Sequence, residues 1–358
     1  MVKRVLLVLL AVVLVLVVVV GVLFVVSAGK PLYRPGMVRA AKNLRAPLAP
    51  PPQTAGANLW LVEPNVKLFY FEEGSGPEVL VLHGGPGYPY LGPPPGLHQL
   101  AAQYRVIYYH QRGCGNSTRP VDRLSEKSFY RNMLNLDRAL GIGAQVADIE
   151  RIRRILGVDR LILVGHSFGA FLATLYAAEF PEHVRALVLI APAQLLVFPG
   201  EGNLLNEVGA LLPAELKSDY AAFLKEYLDF KGLFARSEGE MIGLNSRFTR
   251  FYLAAAKAKG MPVPTTLRFH GNGGWMVQAM YLSMGKKHDY RTALQRVSAP
   301  ALILHGGMDI QPEAASAMYA QVLPHAELRT MPQAGHFLFA DAPEDFAAVV
   351  TEFLAQHP

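Results

Sequence analysis

The sequence predicts an α/β fold: a mostly parallel central β-sheet flanked by helices, with a helical cap inserted and a transmembrane helix at the N-terminus. Three observations support this prediction. Short apolar runs alternate with helix-like segments over residues 58–194 and again over residues 290–358, as in a parallel sheet with right-handed crossovers. Helix-like segments alone fill residues 195–289. Residues 5–26 form an uncharged apolar run.

The composition excludes several classes of protein. Of the 358 residues, 51% are hydrophobic and 17% are charged, which is sufficient for a large core and excludes intrinsic disorder. Cys114 is the only cysteine, so the chain has neither an intramolecular disulfide framework nor a cysteine-cluster metal site.

The apolar run at residues 5–26 is predicted to anchor the protein in a membrane. As a helix it would span roughly 33 Å, which matches a hydrocarbon core of about 30 Å. A secretory signal peptide is the alternative, because Lys3 and Arg4 precede the run and Val26-Ser27-Ala28 resembles a cleavage site. Signal-peptide cores are about 7–15 residues long, so the length favours an uncleaved single-pass anchor.

The cations near the anchor explain the net charge of +6. Beyond Lys3 and Arg4, the cations that follow the run before the first acid, Glu63, are Lys30, Arg34, Arg39, Lys42 and Arg45. This basicity predicts contact with lipid headgroups and no nucleic-acid partner. The positive-inside rule favours a cytoplasmic domain, whereas a basic start before an apolar run is the order of an export signal. We expect the extracytoplasmic orientation, and sidedness stays open.

Residues 27–57 are predicted to form a tether. They contain Pro31, Pro35, Pro47 and Pro50-Pro51-Pro52 without an apolar period, which is typical of a stiff, extended spacer. The predicted organisation is therefore an anchor over residues 1–26, a tether over residues 27–57, an α/β core formed by residues 58–194 and 290–358, and a helical cap over residues 195–289.

The elements of the core follow from apolar runs and turn signals. Two runs flanking Pro64-Asn65 predict an antiparallel hairpin. Further strands are predicted at residues 79–82, 106–109, 161–164, 186–190, 301–304 and 327–331. Helices are predicted at residues 143–156, 168–180 and 344–354, and in the cap at residues 214–230 and 247–257.

The motif Gly165-His166-Ser167-Phe168-Gly169 lies between a predicted strand and a predicted helix. A Gly-x-Ser-x-Gly pentapeptide occurs by chance in about one chain in ten of this length, but this context is that of a nucleophile elbow. There the backbone is strained, the serine hydroxyl is exposed, and the glycines avoid collisions with the neighbouring strand and helix. Ser167 is therefore the candidate nucleophile, and a surface serine in a tight turn is the alternative.

A serine hydroxyl needs a base to accept its proton and an acid to orient that base. At a nucleophile elbow the expected chain order is serine, acid, histidine. Asp309 and His336 each follow one of the last two predicted strands, so both should lie at the same sheet edge as Ser167. Glu313 and Asp341 are rival acids, but Glu313 is expected to begin a helix and Asp341 lies beyond the histidine.

Two backbone N–H groups are the candidate oxyanion hole, which stabilises a tetrahedral intermediate. One belongs to Phe168, the residue after the serine. The other lies in His83-Gly84-Gly85-Pro86-Gly87, directly after a predicted strand. Pro86 has no N–H, so Gly85 is the predicted donor, and a plain Gly/Pro turn is the alternative.

Together these motifs resemble the α/β-hydrolase superfamily and, within it, the proline iminopeptidase branch of serine peptidases. The resemblance rests on residues 83–87, on Gln111-Arg112-Gly113-Cys114-Gly115-Asn116-Ser117, on the serine elbow, on Asp309 and on Gly335-His336. It implies a serine hydrolase that forms an acyl-enzyme, most readily an aminopeptidase acting on short peptides or other small molecules. No metal or organic cofactor is implied, and the oligomeric state is open.

Three departures from this branch leave the substrate open. His110 stands where the branch usually has Asp, and His166 and Phe168 stand where it usually has Gly and Trp. Gly-His-Ser-x-Gly is equally common in esterases and lipases. Branch members bind the substrate amine with cap acids, and the acids in this region are Glu201, Glu207, Glu238 and Glu240, each of which could equally be a solvated helix-face charge.

Two alternative functions are therefore kept. A carboxylesterase or lipase acting on lipid-like esters is supported by the predicted anchor and by the apolar cap residues Phe198, Leu204, Leu205, Phe223, Leu224, Phe230, Phe251 and Tyr252. A non-catalytic binding protein on the same fold is the other alternative, and the filled triad positions argue against it.

Overall fold

The computed structural model of the chain describes residues 30–54, 58–198, 200, 203–264 and 271–357. The anchor predicted at residues 5–26 lies outside these ranges. Among the residues that are described, none of the helices combines the length and apolarity that crossing a membrane requires.

In the described part of the chain the strands agree closely with the predicted apolar runs, except for two short strands at residues 197–198 and 288–289, which lie in the region predicted to contain helices alone. In chain order they are β1 (Leu59–Glu63), β2 (Val66–Glu73), β3 (Glu78–Leu82), β4 (Arg105–Tyr109), β5 (Leu161–His166), β6 (Val184–Ile190), β7 (Val197–Phe198), β8 (His288–Asp289), β9 (Ala301–Gly306) and β10 (Ala326–Met331). All but β7 and β8 form one sheet in the order β1-β2-β4-β3-β5-β6-β9-β10. The β1–β2 and β2–β4 pairs are antiparallel, and the pairs from β4 onward are parallel.

The helices flank this sheet. They are α1 (Pro95–Gln99), α2 (Phe129–Leu140), α3 (Ile142–Leu156), α4 (Phe168–Glu179), α5 (Leu204–Leu211), α6 (Ala214–Tyr227), α7 (Phe230–Leu233), α8 (Glu238–Lys259), α9 (Trp275–Met284), α10 (Arg291–Leu294), α11 (Glu313–Val322), α12 (Leu338–Asp341) and α13 (Pro343–Ala355). Helices α5 to α10 and the β7–β8 hairpin fall between β6 and β9.

Alternating residues of the central strands bury opposite faces of the sheet. Leu80 and Leu82 of β3 join the core that includes α3 and α4, whereas Val79 and Val81 join the core that includes α1 and α13. This alternation is the period of two of a β-strand. Every residue of α4 is buried, so the helix that follows the serine is a rigid core element.

The strand register brings the carboxyl ends of four strands to one edge. Leu82 of β3 pairs with Gly165 of β5, which pairs with Leu189 of β6. Ile190 of β6 pairs in turn with Leu304 of β9. The loops that follow β3, β5 and β9 therefore start at the same level of the sheet. This brings residues 83–87, the predicted oxyanion loop, to the same sheet edge as Ser167 and Asp309.

No helix is predicted from the sequence at α2, and α9 lies in the region predicted to be helical, without predicted bounds of its own. Helix α2 has Phe129, Met133, Leu136 and Leu140 at helical spacing, so an apolar period that indicates a helix is present in the sequence. Helix α9 is nearly all buried and packs against α2, so it has no polar face to reveal a helical period.

Residues 30–48 pack on the α/β core, which differs from the extended spacer that their composition predicts. Tyr33 and Val38 are buried, and the Tyr33 hydroxyl donates to Glu179 at 3.1 Å. The Arg151 guanidinium donates to the carbonyl oxygens of Ala46 and Pro47. These contacts are isolated and irregularly spaced, so no sequence period marks them.

Candidate active site

Ser167 lies on a sharp turn between β5 and α4. Its φ of 52° and ψ of −115° are unusual for a residue with a side chain and cost about 1–3 kcal/mol. Two backbone hydrogen bonds hold this conformation: Ser167 N donates to Ile190 O at 2.8 Å, and Ala193 N donates to Ser167 O at 3.1 Å. The predicted elbow is therefore present as a strained and well-supported turn.

Gly169 shows why the motif needs glycine. A Cβ atom at this position would collide with the carbonyl oxygen of Leu82. The first turn of α4 therefore lies directly against the end of β3, which brings Ser167 close to the loop that follows β3.

Asp309 and His336 meet at this sheet edge, as predicted. His336 Nδ1 lies 2.7 Å from Asp309 Oδ2, and the exposed fractions of the two residues are 7% and 1%. A carboxylate only accepts hydrogen bonds, so Nδ1 carries the proton and Nε2 of the neutral ring is an acceptor. Asp309 Oδ1 accepts from Gln311 N at 3.0 Å, which fixes the orientation of the carboxylate.

Ser167 and His336 border one cavity of about 380 Å³. Asp309 is buried behind His336. The rest of the lining consists of Gly84, Gly85, Tyr88, Pro89, Tyr90, Leu91, Gly92, Pro93, Pro94, Pro95, His166, Leu204, Phe248, Thr249, Tyr252 and Phe337. Within the described part of the chain, this lining contains no carboxylate, lysine or arginine.

Gly85 lines this cavity, and Phe168 directly follows the lining residue Ser167. The carbonyl oxygen of Gly84 accepts from Tyr88 N at 3.2 Å and from His83 Nδ1 at 2.9 Å. Because the C=O and N–H of a trans peptide point in opposite directions, the N–H of Gly85 is on the side away from His83. Gly85 has a φ of 121°, a conformation that favours glycine. Phe168 N–H is in the first turn of α4, where helical N–H groups lack an intrahelical acceptor.

The rival acids have other partners. Glu313 Oε1 accepts from the Thr330 hydroxyl at 2.5 Å. Asp341 Oδ2 accepts from Gly335 N at 2.9 Å, and burial raises the pKa of the Asp341 carboxyl. Asp341 therefore holds the backbone of the loop that carries His336, whereas Asp309 contacts the ring itself.

The Gln-Arg-Gly segment holds His83, the first residue of the oxyanion loop, by hydrogen bonds. Gln111 N donates to His83 Nε2 at 3.1 Å, and Gln111 Nε2 donates to His83 O at 2.9 Å. Arg112 is buried and pairs with Asp148 and Glu63. Burial acts to raise the pKa of Glu63, but Arg112 and its neighbouring arginines outweigh burial and lower that pKa.

His110, the first departure from the family pattern, supports the cavity wall. Its Nε2 lies 2.9 Å from the carbonyl oxygen of Tyr90, and its Nδ1 accepts from Asn116 N at 3.0 Å. The imidazole therefore fixes the backbone of Tyr90, a lining residue.

Of the cap acids, the three that the structure describes, Glu207, Glu238 and Glu240, do not lie among the cavity-lining residues. Glu238 is buried and accepts from Arg119 at 2.5 Å and from the N–H groups of Gly274 and Trp275 at the start of α9. Glu240 completes a capping box with Ser237 at the start of α8. Glu207 lies in the first turn of α5, and Glu201 is outside the described residues.

Several site contacts were not identified from the sequence. Phe248 and Thr249 of α8 line the cavity beside Leu204 and Tyr252, two of the apolar cap residues already named from the sequence. Lys259 at the end of α8 donates to the carbonyl oxygen of Asp309. His166 contacts the loop of His336. For His166, its position beside Ser167 is the sequence signal that indicates a place in the site. The contacts of α8 depend on how the cap packs on the core, which no local pattern indicates.

Comparison with known proteins identifies the alpha/beta hydrolase fold. A profile of the alpha/beta hydrolase fold matches residues 77–343. The proline iminopeptidase of Heyndrickxia coagulans is 27% identical over 302 residues, covering 79% of this chain and 92% of that protein. Two solved structures, each 20% identical, share the fold: the proline iminopeptidase of Mycobacterium smegmatis, with a TM-score of 0.52 over 82% of this chain and 95% of that one, and a thermophilic esterase from Thermogutta terrifontis, with a TM-score of 0.53 over 82% and 95%.

Proposed function

The chain belongs to the alpha/beta hydrolase fold family, and from this membership we propose that it is a serine hydrolase that acts through an acyl-enzyme. One observation carries the proposal: Ser167 lies on a strained elbow at the same cavity as His336, whose Nδ1 is 2.7 Å from Asp309. Ser167 is the proposed nucleophile, His336 the general base, and Asp309 the carboxylate that orients the base.

In the acylation step, Ser167 Oγ bonds to the substrate carbonyl carbon while His336 Nε2 accepts the serine proton. The carbonyl oxygen becomes an oxyanion that accepts hydrogen bonds from the N–H groups of Gly85 and Phe168. Asp309 stabilises the imidazolium. The imidazolium then gives its proton to the leaving amine or alcohol as the scissile bond breaks.

Deacylation repeats the same proton transfers with water. His336 Nε2 accepts a proton from water as the water oxygen attacks the acyl carbon. Collapse of the second tetrahedral intermediate returns the proton to Ser167 Oγ and releases the carboxylic acid.

An aminopeptidase of the proline iminopeptidase type is the first candidate activity, and the similarity to proline iminopeptidases supports it. Such an enzyme needs a group that binds the charged amine of its substrate. Glu201 is the only acidic residue of the chain outside the described ranges. The Glu201→Gln variant therefore tests whether the carboxylate of Glu201 binds the charged amine of the substrate.

A carboxylesterase that accepts apolar acyl groups is the second candidate, because of the chemistry of the cavity. Its described lining consists of aromatic, proline, leucine and glycine residues together with His166, Ser167, Thr249 and His336. A substrate ammonium group placed against such a lining would lose its hydration without gaining a carboxylate partner. A neutral acyl chain incurs no such cost.

A panel of substrates separates the two candidates. Values of kcat/KM are measured for prolyl p-nitroanilide, for its N-acetylated form, and for p-nitrophenyl butyrate and octanoate. The aminopeptidase predicts a preference for the free amine of about 100-fold or more, and loss of this preference in Glu201→Gln. Comparable rates on free and N-acetylated amides would dismiss the aminopeptidase, and faster turnover of the esters would favour the carboxylesterase. No turnover of any member would count against the proposed serine hydrolase.

We also propose that residues 5–26 tether the enzyme to a membrane, with the folded region on the extracytoplasmic side. Because Tyr33 packs into the core, the comparison chain should begin at residue 30 rather than at the predicted end of the tether. The full chain should sediment with membranes, and the chain from residue 30 should not. Digestion of the folded region by protease added outside intact cells tests sidedness, and its protection there would reverse the proposed orientation.

A further inference from the structure

We propose that His166 is a positioning residue for the catalytic base, an inference that rests on the proposed function. His166 is the last residue of β5 and immediately precedes Ser167. Its Nε2 lies 2.9 Å from the backbone carbonyl oxygen of His336. A carbonyl oxygen accepts but cannot donate, so Nε2 carries the proton and donates it to the loop of the base.

The imidazole of His166 also touches the oxyanion loop. A Cβ atom on Gly84 would lie 3.0 Å from His166 Nδ1, so the ring packs directly beneath this glycine. The centroids of the His166 and His336 rings are 4.8 Å apart. The side chain of His166 therefore contacts both Gly84 and the loop that carries His336. The main chain of His166 continues directly into Ser167.

The environment of His166 keeps its ring neutral. Burial lowers the pKa of this imidazole well below its usual value, and the neighbouring His336 lowers it further. A neutral ring retains its single donor at Nε2. It also places no positive charge beside the imidazolium that forms on His336 during the reaction.

The loop of His336 is therefore fixed at two different points. Asp309 holds the ring at Nδ1, and His166 holds the carbonyl group of the same residue. Removing the His166 donor leaves a buried carbonyl oxygen without this partner and frees the main chain that carries the base. A displacement of about 1 Å between base and nucleophile costs about 100-fold in rate, so kcat should fall by about 10- to 100-fold while KM stays within about 2-fold.

The test compares His166→Gln with His166→Asn in the full chain. The amide nitrogen of Gln reaches the position of His Nε2, whereas the shorter Asn does not, and the two variants have the same chemistry. Asn should lose the expected factor in kcat, and Gln should recover most of it. His166→Leu removes the donor completely and should match or exceed the loss in Asn.

His288→Leu is the matched control. His288 is another buried histidine, and its Nε2 lies 2.9 Å from the carbonyl oxygen of Leu195, away from the cavity-lining residues. This variant should lower Tm without lowering kcat of the folded enzyme. If the role of His166 were purely structural, the His166 variants would likewise lower Tm without lowering kcat of the folded enzyme.

Each outcome either supports the inference or overturns it. The inference is supported by a kcat loss in Asn with unchanged KM, recovery in Gln, and a slower reaction with a fluorophosphonate probe. It is overturned if Asn and Gln match the wild type, or if both lose kcat only in proportion to lost folded protein. If the wild type neither turns over the panel nor reacts with the probe, the proposed function itself fails, and the inference fails with it.

Discussion

Lowering the pH should destabilise the fold through the buried imidazole of His83. Nδ1 of this ring donates to the carbonyl oxygen of Gly84 at 2.9 Å, and Nε2 accepts from Gln111 N at 3.1 Å. Burial lowers the pKa of His83 from 6.5 to about 3. Between these two values the unfolded chain binds a proton that the folded protein excludes.

The sign and size of the effect follow from this difference. Because the pKa in the folded state is the lower one, the stabilisation is fully present above pH 6.5 and is lost as the pH falls toward 3. Between pH 7 and pH 5 the loss from His83 alone is about 2 kcal/mol of unfolding free energy. His166, whose pKa is also lowered by burial, acts in the same direction.

Urea denaturation at pH 7, 6 and 5 measures this contribution. The His83→Gln variant has no titrating group at this position, so its unfolding free energy should change less between pH 7 and pH 5 than that of the wild type, by about 2 kcal/mol. The comparison uses the change with pH within each protein, so a constant loss of stability in the variant does not affect it. Equal pH dependence in the two proteins would refute the assigned burial effect.

Three further predictions concern the site and its support. In Gly85→Ala the added Cβ would lie 2.6 Å from Gly87 N at a φ of 121°, which should displace the Gly85 N–H. Losing this oxyanion donor should lower kcat by about 10²–10³-fold, and an unchanged kcat would contradict the assignment of Gly85 as a donor. Asp309→Asn should lower kcat by about 10⁴-fold with little change in Tm, and a loss below tenfold would contradict the assigned role. Arg112→Met should lower the unfolding free energy in urea by about 3–5 kcal/mol, because Arg112 is buried against Asp148 and Glu63, and a loss under about 1 kcal/mol would contradict it.

The strands and the Asp309–His336 pair were predictable because their signals are local. Continuous apolar runs mark β3, β5, β6 and β9, and the ends of parallel strands meet at one sheet edge. The chain order of Ser167, Asp309 and His336 then predicted which loops meet there. The structure places Asp309 and His336 in contact and Ser167 and His336 at one cavity.

The rest depends on packing between segments distant in the sequence. The packing of residues 30–48 depends on single contacts, such as Tyr33 with Glu179. The cavity wall contributed by Phe248 and Tyr252 depends on where α8 packs. The acid Glu238 could not be separated from solvated charges until its contacts with Arg119 and the start of α9 were known.

The most direct test of the proposed nucleophile is reaction of the full chain with a fluorophosphonate probe, followed by intact-mass measurement and peptide mapping. The wild type should gain one phosphonyl group, located on Ser167, and Ser167→Ala should gain none while keeping its Tm within a few degrees. Absence of labelling in the wild type would favour a non-catalytic protein on this fold. Labelling at another serine, with hydrolysis retained in Ser167→Ala, would contradict the assignment of Ser167.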